Sequence, residues 1–326
     1  MNTKEKNALI YHSAYQYLIE ILPYSLSVND LEKYFWGDKK DFSSLNDVFE
    51  QMIHSTQNYQ RMPNVIKFQE RREKIKNILF DFDAKKIVKT YEIEELYKIF
   101  RKEFNITSAD NKFNSWHKWS KSIIDSAKFL SEFKNVDDFK GFVGQFDYNV
   151  HTRMALPLLI SEKISGMGFA LACDFLKELG YINYPKPDVH LIDVFHDVGL
   201  SDKDPLSVFE AIVKMSEYCK DFFKNENITP YQIDKIIWLI CSGKFYYEGI
   251  SVGQHKKELI QLLQENIKNI KRMPRHALGT CINMKENKEI LPDSDYKPTN
   301  FAEFDKKKIT KKYKIQYDKN NMPLPD

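Results

Sequence analysis

Apolar residues recur along this chain at the three-to-four-residue spacing of an amphipathic helix. Strict alternation is confined to short stretches. In the segment 169–179, Phe169, Leu171, Ala172, Phe175, Leu176 and Leu179 follow the helical period, and before it Leu156, Leu158, Leu159 and Ile160 form the apolar side of a shorter helix. The same pattern predicts helices over residues 8–22, 45–55, 92–104, 114–129, 189–197, 208–223, 231–241 and 254–271. Start and stop signals agree with it. Ser43 and Ser44 precede Val48, Phe49, Met52 and Ile53; Asp204 and Ser207 open one helix, Thr229 and Pro230 another, and Gly180 closes the segment 169–179. Residues 31–35 fit a short strand or a helix equally well. Residues 306–317, KKKITKKYKIQY, alternate as a short strand or an extended arm would. Asp81 and Asp83 are read as belonging to a loop or a helix cap. No internal repeat or low-complexity linker appears.

Composition narrows this to a helical globular protein. The chain has 326 residues with 23 Phe and 18 Tyr but only 11 Gly and 12 Pro, enough for a large core and for two domains. No apolar run approaches the roughly 20 residues that span a bilayer, and MNTKEKN does not lead into a cleavable signal, so a cytoplasmic location is expected. Cys173, Cys219, Cys241 and Cys281 lack the spacing of a zinc site or a disulfide framework. The net charge of +3 is too small to argue for nucleic acid, but residues 250–326 hold 16 Lys and Arg against 10 Asp and Glu. That surplus suits contact with phosphates, or simply a solvated face.

Candidate chemistry concentrates in residues 160–200. Gly166 and Gly168 form a tight turn between two helices and leave amides uncovered at the start of the second, where the helix dipole favours an anion such as phosphate. Pro185-Lys186-Pro187 then places Asp188 at the mouth of the helix 189–197. Each feature has a structural reading, a turn and an N-cap. Together they can grip a nucleic acid backbone and stabilise positive charge on a sugar.

In three stretches the chain resembles the helix-hairpin-helix base-excision DNA glycosylases, the superfamily of endonuclease III and 8-oxoguanine glycosylase. They are ISGMGFALA (164–172), PDVHLIDVF (187–195) and VFEQMIHSTQ (48–57). The resemblance implies an all-α, two-domain fold with the hairpin at the domain junction. Its parts are an N-terminal segment 1–43 packing with the C-terminal domain, a six-helix-type barrel 44–182, a C-terminal helical domain 183–272 and a basic extension 273–326. Asp188 corresponds to the catalytic aspartate. The amides of Gly166, Gly168 and Ala170 would hold phosphate, His190 would add a backbone contact, and the carbonyls of Glu162, Ile164 and Met167 would coordinate a structural K+ or Na+. Gln57 corresponds to the wedge that fills the gap left by an extruded nucleotide, with Asn58 and Tyr59 near the opposite base. Trp116, His117 and Trp119 are candidates to stack on a flipped base, joined by Trp238 and Tyr246, although aromatic residues at helical spacing also suit a core.

Departures from the family pattern shape the expected chemistry. Bifunctional members carry a Schiff-base lysine where this chain has Ala170, although the spacing to Asp188 is kept. Lys163, Lys177 and Lys186 are the substitutes to consider. The cysteines are too scattered for the iron–sulfur cluster of some members. The resemblance thus implies a monofunctional glycosylase of double-stranded DNA, nucleoid-associated, without a catalytic cofactor, a membrane or an obligate protein partner. It would act on an alkylated purine or on a modified base of foreign DNA, the latter a role in antiviral defence. The alternatives are a non-catalytic DNA-binding module and a lyase using another lysine.

Overall fold

A computed structural model describes residues 2–31, 42–60, 62–245 and 250–270. Among these the architecture is all-helical, with one isolated antiparallel bridge between Lys244 and Ser251. In chain order the helices are α1 (Thr3–Glu20), α2 (Leu45–Thr56), α3 (Met62–Ile66), α4 (Phe68–Ile78), α5 (Ala84–Thr90), α6 (Ile93–Glu103), α7 (Ser115–Ser131), α8 (Val136–Phe146), α9 (Val150–Lys163), α10 (Phe169–Glu178), α11 (Val189–Asp197), α12 (Pro205–Phe223), α13 (Pro230–Ser242) and α14 (Lys256–Ile270). A 3-10 turn, Phe80–Phe82, separates α4 from α5.

Two apolar cores organise these helices. The first runs from Phe42 to Tyr184 and adds Phe209 and Val213 from α12. The second gathers α1 with α11, α12, α13 and α14. The chain leaves the first core and enters the second between Tyr184 and Leu191, so Asp188 lies where the cores meet. Phe169, at the start of α10, meets Phe209 of α12 edge-to-face at 5.6 Å.

Local sequence explains most boundaries. Ser44 and Asp47 form a capping box on α2, Asp204 caps α12 and Thr229 caps α13. Asp83 caps α5, accepting from the Lys86 amide at 3.0 Å. The helix before the hairpin is longer than its apolar cluster predicts. Asn149 and Thr152 close a capping box at its start, and Pro157 is accommodated inside it. Gly180, at φ +93°, ends α10 as expected. Residues 32–35, 246–249 and the basic extension lie outside the described residues, as do Tyr246 and Cys281.

Candidate active site

The hairpin turns on two exposed glycines. Gly166 is exposed with φ +82°, which a side chain would strain, and an added Cβ would press on Ser122 Oγ at 3.1 Å. Gly168, also exposed, has open space around it and precedes α10 without any side-chain cap, so no side chain covers the first-turn amides around Ala170. Met167 between them is buried and donates to the Ile164 carbonyl at 3.1 Å. The turn is clamped to α7: Ser165 N donates to Asp125 Oδ2 at 3.1 Å, Ser122 Oγ donates to the Ser165 carbonyl at 2.5 Å, and Lys121 bonds the Ser165 hydroxyl.

Asp188 caps α11. Its Oδ1 accepts from the amides of His190 at 2.8 Å and Leu191 at 3.2 Å. The His190 amide is therefore committed to Asp188. Burial raises the Asp188 carboxyl above the ordinary aspartate range and the Asp234 carboxylate adds to this, while the Leu191 amide, His190 and Lys186 pull the other way.

Beneath Asp188 lies a buried ion network. Lys177 Nζ meets Asp234 Oδ2 at 3.0 Å and Asp174 at 3.4 Å, with only 4% of the lysine side chain and 1% of the Asp234 side chain exposed. Lys186 Nζ reaches Asp174 at 3.1 Å, and its amide donates to Asp234 Oδ2 at 2.7 Å. Ala170, Asp174 and Lys177 fall on one face of α10, at i, i+4 and i+7. The segment carrying Asp188 is thus tied to the face whose first position is Ala170.

Lys177 and Lys186 are both ion-paired. Burial would lower the Lys177 amine, but Asp234 and Asp174 outweigh it and push the group well above its usual value, holding it protonated. Such an ammonium is no nucleophile. Lys163 is exposed on the last turn of α9. Lys235 differs: burial, reinforced by Lys177, lowers it to about 8, and its Nζ lies over the rings of Tyr231 and Trp238 at 5.5 and 5.7 Å.

The structure corrects the roles expected of Trp116, Trp119 and Gln57. Trp119 is fully buried and donates from Nε1 to the Ile53 carbonyl at 3.0 Å, while Trp116 stacks on Phe104 at 4.9 Å; both belong to the first core and present no open face to a base. His117 Nε2 lies 2.7 Å from Glu94 Oε1. Trp238 is half-buried on α13. Gln57 is turned inward, only 5% exposed, with Oε1 accepting from the Phe68 amide at 3.3 Å, because α4 begins against the end of α2. Asn58 is exposed and Tyr59 half-buried, its hydroxyl accepting from Gln60 Nε2 at 3.1 Å, so the outward groups of this turn are Asn58 and Gln60. Sequence reading missed Asp174 and Asp234. Their signal was a carboxylate inside an otherwise apolar helical stretch.

Among the described residues no cluster of three His, Cys, Asp or Glu is arranged to hold a metal ion, and no helix is long and apolar enough to cross a membrane.

No family model matches the chain. A stretch of 84 residues is 26% identical to the 8-oxoguanine DNA glycosylase/AP lyase of Korarchaeum cryptofilum, covering 26% of this chain and 40% of that protein. The chain thus matches less than half the length of this curated relative. A solved structure, Methanocaldococcus jannaschii 8-oxoguanine glycosylase/lyase in complex with 15mer DNA containing 8-oxoguanine, superposes loosely, with a TM-score of 0.44 and 17% identity over 72% of this chain and 97% of that one. The hairpin and Asp188 first suggested a resemblance to the helix-hairpin-helix base-excision DNA glycosylase superfamily, and the curated relative supports it.

Proposed function

We propose that this protein is a monofunctional DNA glycosylase, which flips a damaged or modified base out of duplex DNA and hydrolyses its N-glycosidic bond. One observation carries the reading. A half-buried carboxylate, Asp188, is fixed by its own helix cap and tied to the α10 face that begins with Ala170, next to uncovered hairpin amides. The amides hold a phosphate beside the extruded nucleotide, and Asp188 faces its sugar. As the bond from C1′ to the base nitrogen breaks, positive charge develops on the sugar, which the carboxylate stabilises. Water then adds to C1′, giving its proton to Asp188, and the bonding pair of the broken bond leaves with the base. With Ala170 in place of an amine and Lys177 held as an ammonium, no covalent sugar adduct is required.

The Ile164 carbonyl accepts the Met167 amide at 3.1 Å and retains a second lone pair, so with Glu162 and Met167 it fits a K+ or Na+ that would neutralise the held phosphate. Held there, that ion would supply binding and would leave the chemistry to the residues described.

The test uses end-labelled duplexes carrying a panel of damaged and modified bases, 8-oxoguanine, alkylated purines and phage-type bases among them. Strand breaks that appear only after alkali are the expected result. Tight binding with no break on any duplex would instead assign a DNA-binding module. A second reading, a lyase acting through Lys235, draws on that residue's lowered basicity and on the relative's name. Breaks without alkali and a borohydride-trapped adduct lost in K235M would establish it.

A further inference from the structure

Hydrolysis by Asp188 requires a carboxylate that is held still and is basic enough to take a proton from water. The residue sits in a short connection with little structure of its own. Its amide donates to the Lys186 carbonyl at 2.9 Å, a three-residue turn held from outside through Lys186, whose amide donates to Asp234 Oδ2 at 2.7 Å and whose ammonium meets Asp174 Oδ2 at 3.1 Å. Asp234 is itself anchored by the buried Lys177 ammonium at 3.0 Å. We propose that Asp234 is a positioning residue for Asp188: held by Lys177, it locks the turn that delivers Asp188 and lays a second carboxylate against the first. This deepens the glycosylase reading and rests on it for its catalytic consequence.

The surroundings of Asp188 single out Asp234. α10 contributes Asp174, Lys177 and Glu178, and there Lys177 bonds Asp234 while Lys186 bonds Asp174. α11 contributes His190, whose amide already bonds Asp188. α13 contributes Asp234, Lys235 and Cys241. The Cys241 thiol is pushed up to about 12 by burial and stays neutral. Lys186 and His190 favour the Asp188 anion, whereas Asp234 is the carboxylate that opposes it. Two like charges brought together by a shared turn make the less tightly paired one the stronger base. In a site with no amine at position 170, that is the property water activation needs.

The test is D234N, which keeps a side-chain oxygen for the Lys186 amide and removes the charge. The Asp188 carboxyl is followed by carbon NMR as pH varies, its signal identified by its loss in D188N. The expected result is a titration midpoint lower in D234N than in wild type. The acid limb of the single-turnover excision rate should move to lower pH with it, and the plateau rate should fall about tenfold or more as the general-base contribution weakens. An unmoved NMR midpoint overturns the proposal, whatever the rate does. A moved midpoint in a protein that releases no base would keep the carboxylate pairing and sink the glycosylase reading. Should D234N fail to fold, K177Q/D234N removes the same charge without stranding an ammonium, and the same midpoint decides.

Discussion

Asp188 and Asp234 are the same amino acid, placed on adjoining helices of one site, yet their surroundings give them opposite work. Asp188 caps α11 and is half-buried, and burial with a like charge pushes its carboxyl up. Asp234 is buried in mid-helix and accepts both the Lys177 ammonium and the Lys186 amide on one oxygen. A carboxylate kept uncomfortable and accessible suits chemistry. One that is satisfied and sealed suits structure. The comparison teaches that a buried ion pair beside a candidate active site need not be catalytic, since Lys177, the lysine best placed on the Ala170 face of α10, is locked in its charged form.

The comparison would break most visibly at Asp188. D188N is expected to lower single-turnover excision by about 10²–10⁴, the span of a general base, while leaving duplex affinity within about twofold. Asparagine still caps a helix, so the thermal transition should not fall. Excision at the wild-type rate would remove Asp188 from the mechanism.

D234A should reverse the pattern by striking the fold. Removing one partner of a buried pair strands the Lys177 ammonium, at a cost of about 3–5 kcal/mol, to be read in urea denaturation. The double variant K177M/D234L should recover most of that stability, because apolar groups of similar volume replace a buried pair at little cost. If D234A were as stable as wild type, the pair would not be the structural element described here.

A smaller effect is expected at the hairpin. G166A forces a side chain into φ +82° and against Ser122 Oγ, costing about 1–2 kcal/mol of hairpin geometry. Duplex affinity should fall several-fold, measured by anisotropy at fixed salt, with the excision rate at saturating enzyme nearly kept. A rate loss without an affinity loss would put the hairpin in the chemistry and blur the contrast with Asp188.

How much was legible beforehand follows the kind of signal each element carries. The span 189–197 was read to the residue because two prolines set Asp188 at its mouth, and Asp188 does cap it. α4 and α8 were not read as helices, since α4 buries only Phe68 and Ile75 and α8 only Phe139 and Val143, too few to mark a period. The hairpin was legible because glycine chemistry is backbone chemistry and needs no partner to be recognised. The Trp116 and Trp119 pocket failed for the converse reason: stacking on a base and stacking on Phe100 use the same helical spacing, and only the fold decides that Phe100 lies 5.4 Å from one and 5.5 Å from the other. Gln57 failed because its partner, the Phe68 amide, is eleven residues away across a turn. Asp234 escaped notice because a carboxylate in an apolar helix gains meaning only with Lys177, 57 residues upstream.

The finest test of the comparison is the pH dependence of stability. Asp188 has a raised carboxyl, so the folded protein holds this proton more tightly than the unfolded chain, and the ionised group disfavours folding at neutral pH. Asp174 behaves oppositely. Burial raises it, but Lys186 and Lys177 outweigh burial and hold it below the ordinary value, so its contribution is present at neutral pH and lost as pH falls through the lowered value. D188N should therefore be slightly more stable than wild type at pH 7, and the difference should shrink as pH falls through the raised pKa, vanishing near the ordinary aspartate value of about 3.9. D174N should be less stable at pH 7 and approach wild type only at still lower pH. Thermal melts of the three proteins between pH 3 and pH 8 would show two difference curves of opposite sign. Curves of the same sign would mean that both carboxylates are held alike, and that partial exposure alone separates Asp188 from its buried neighbours.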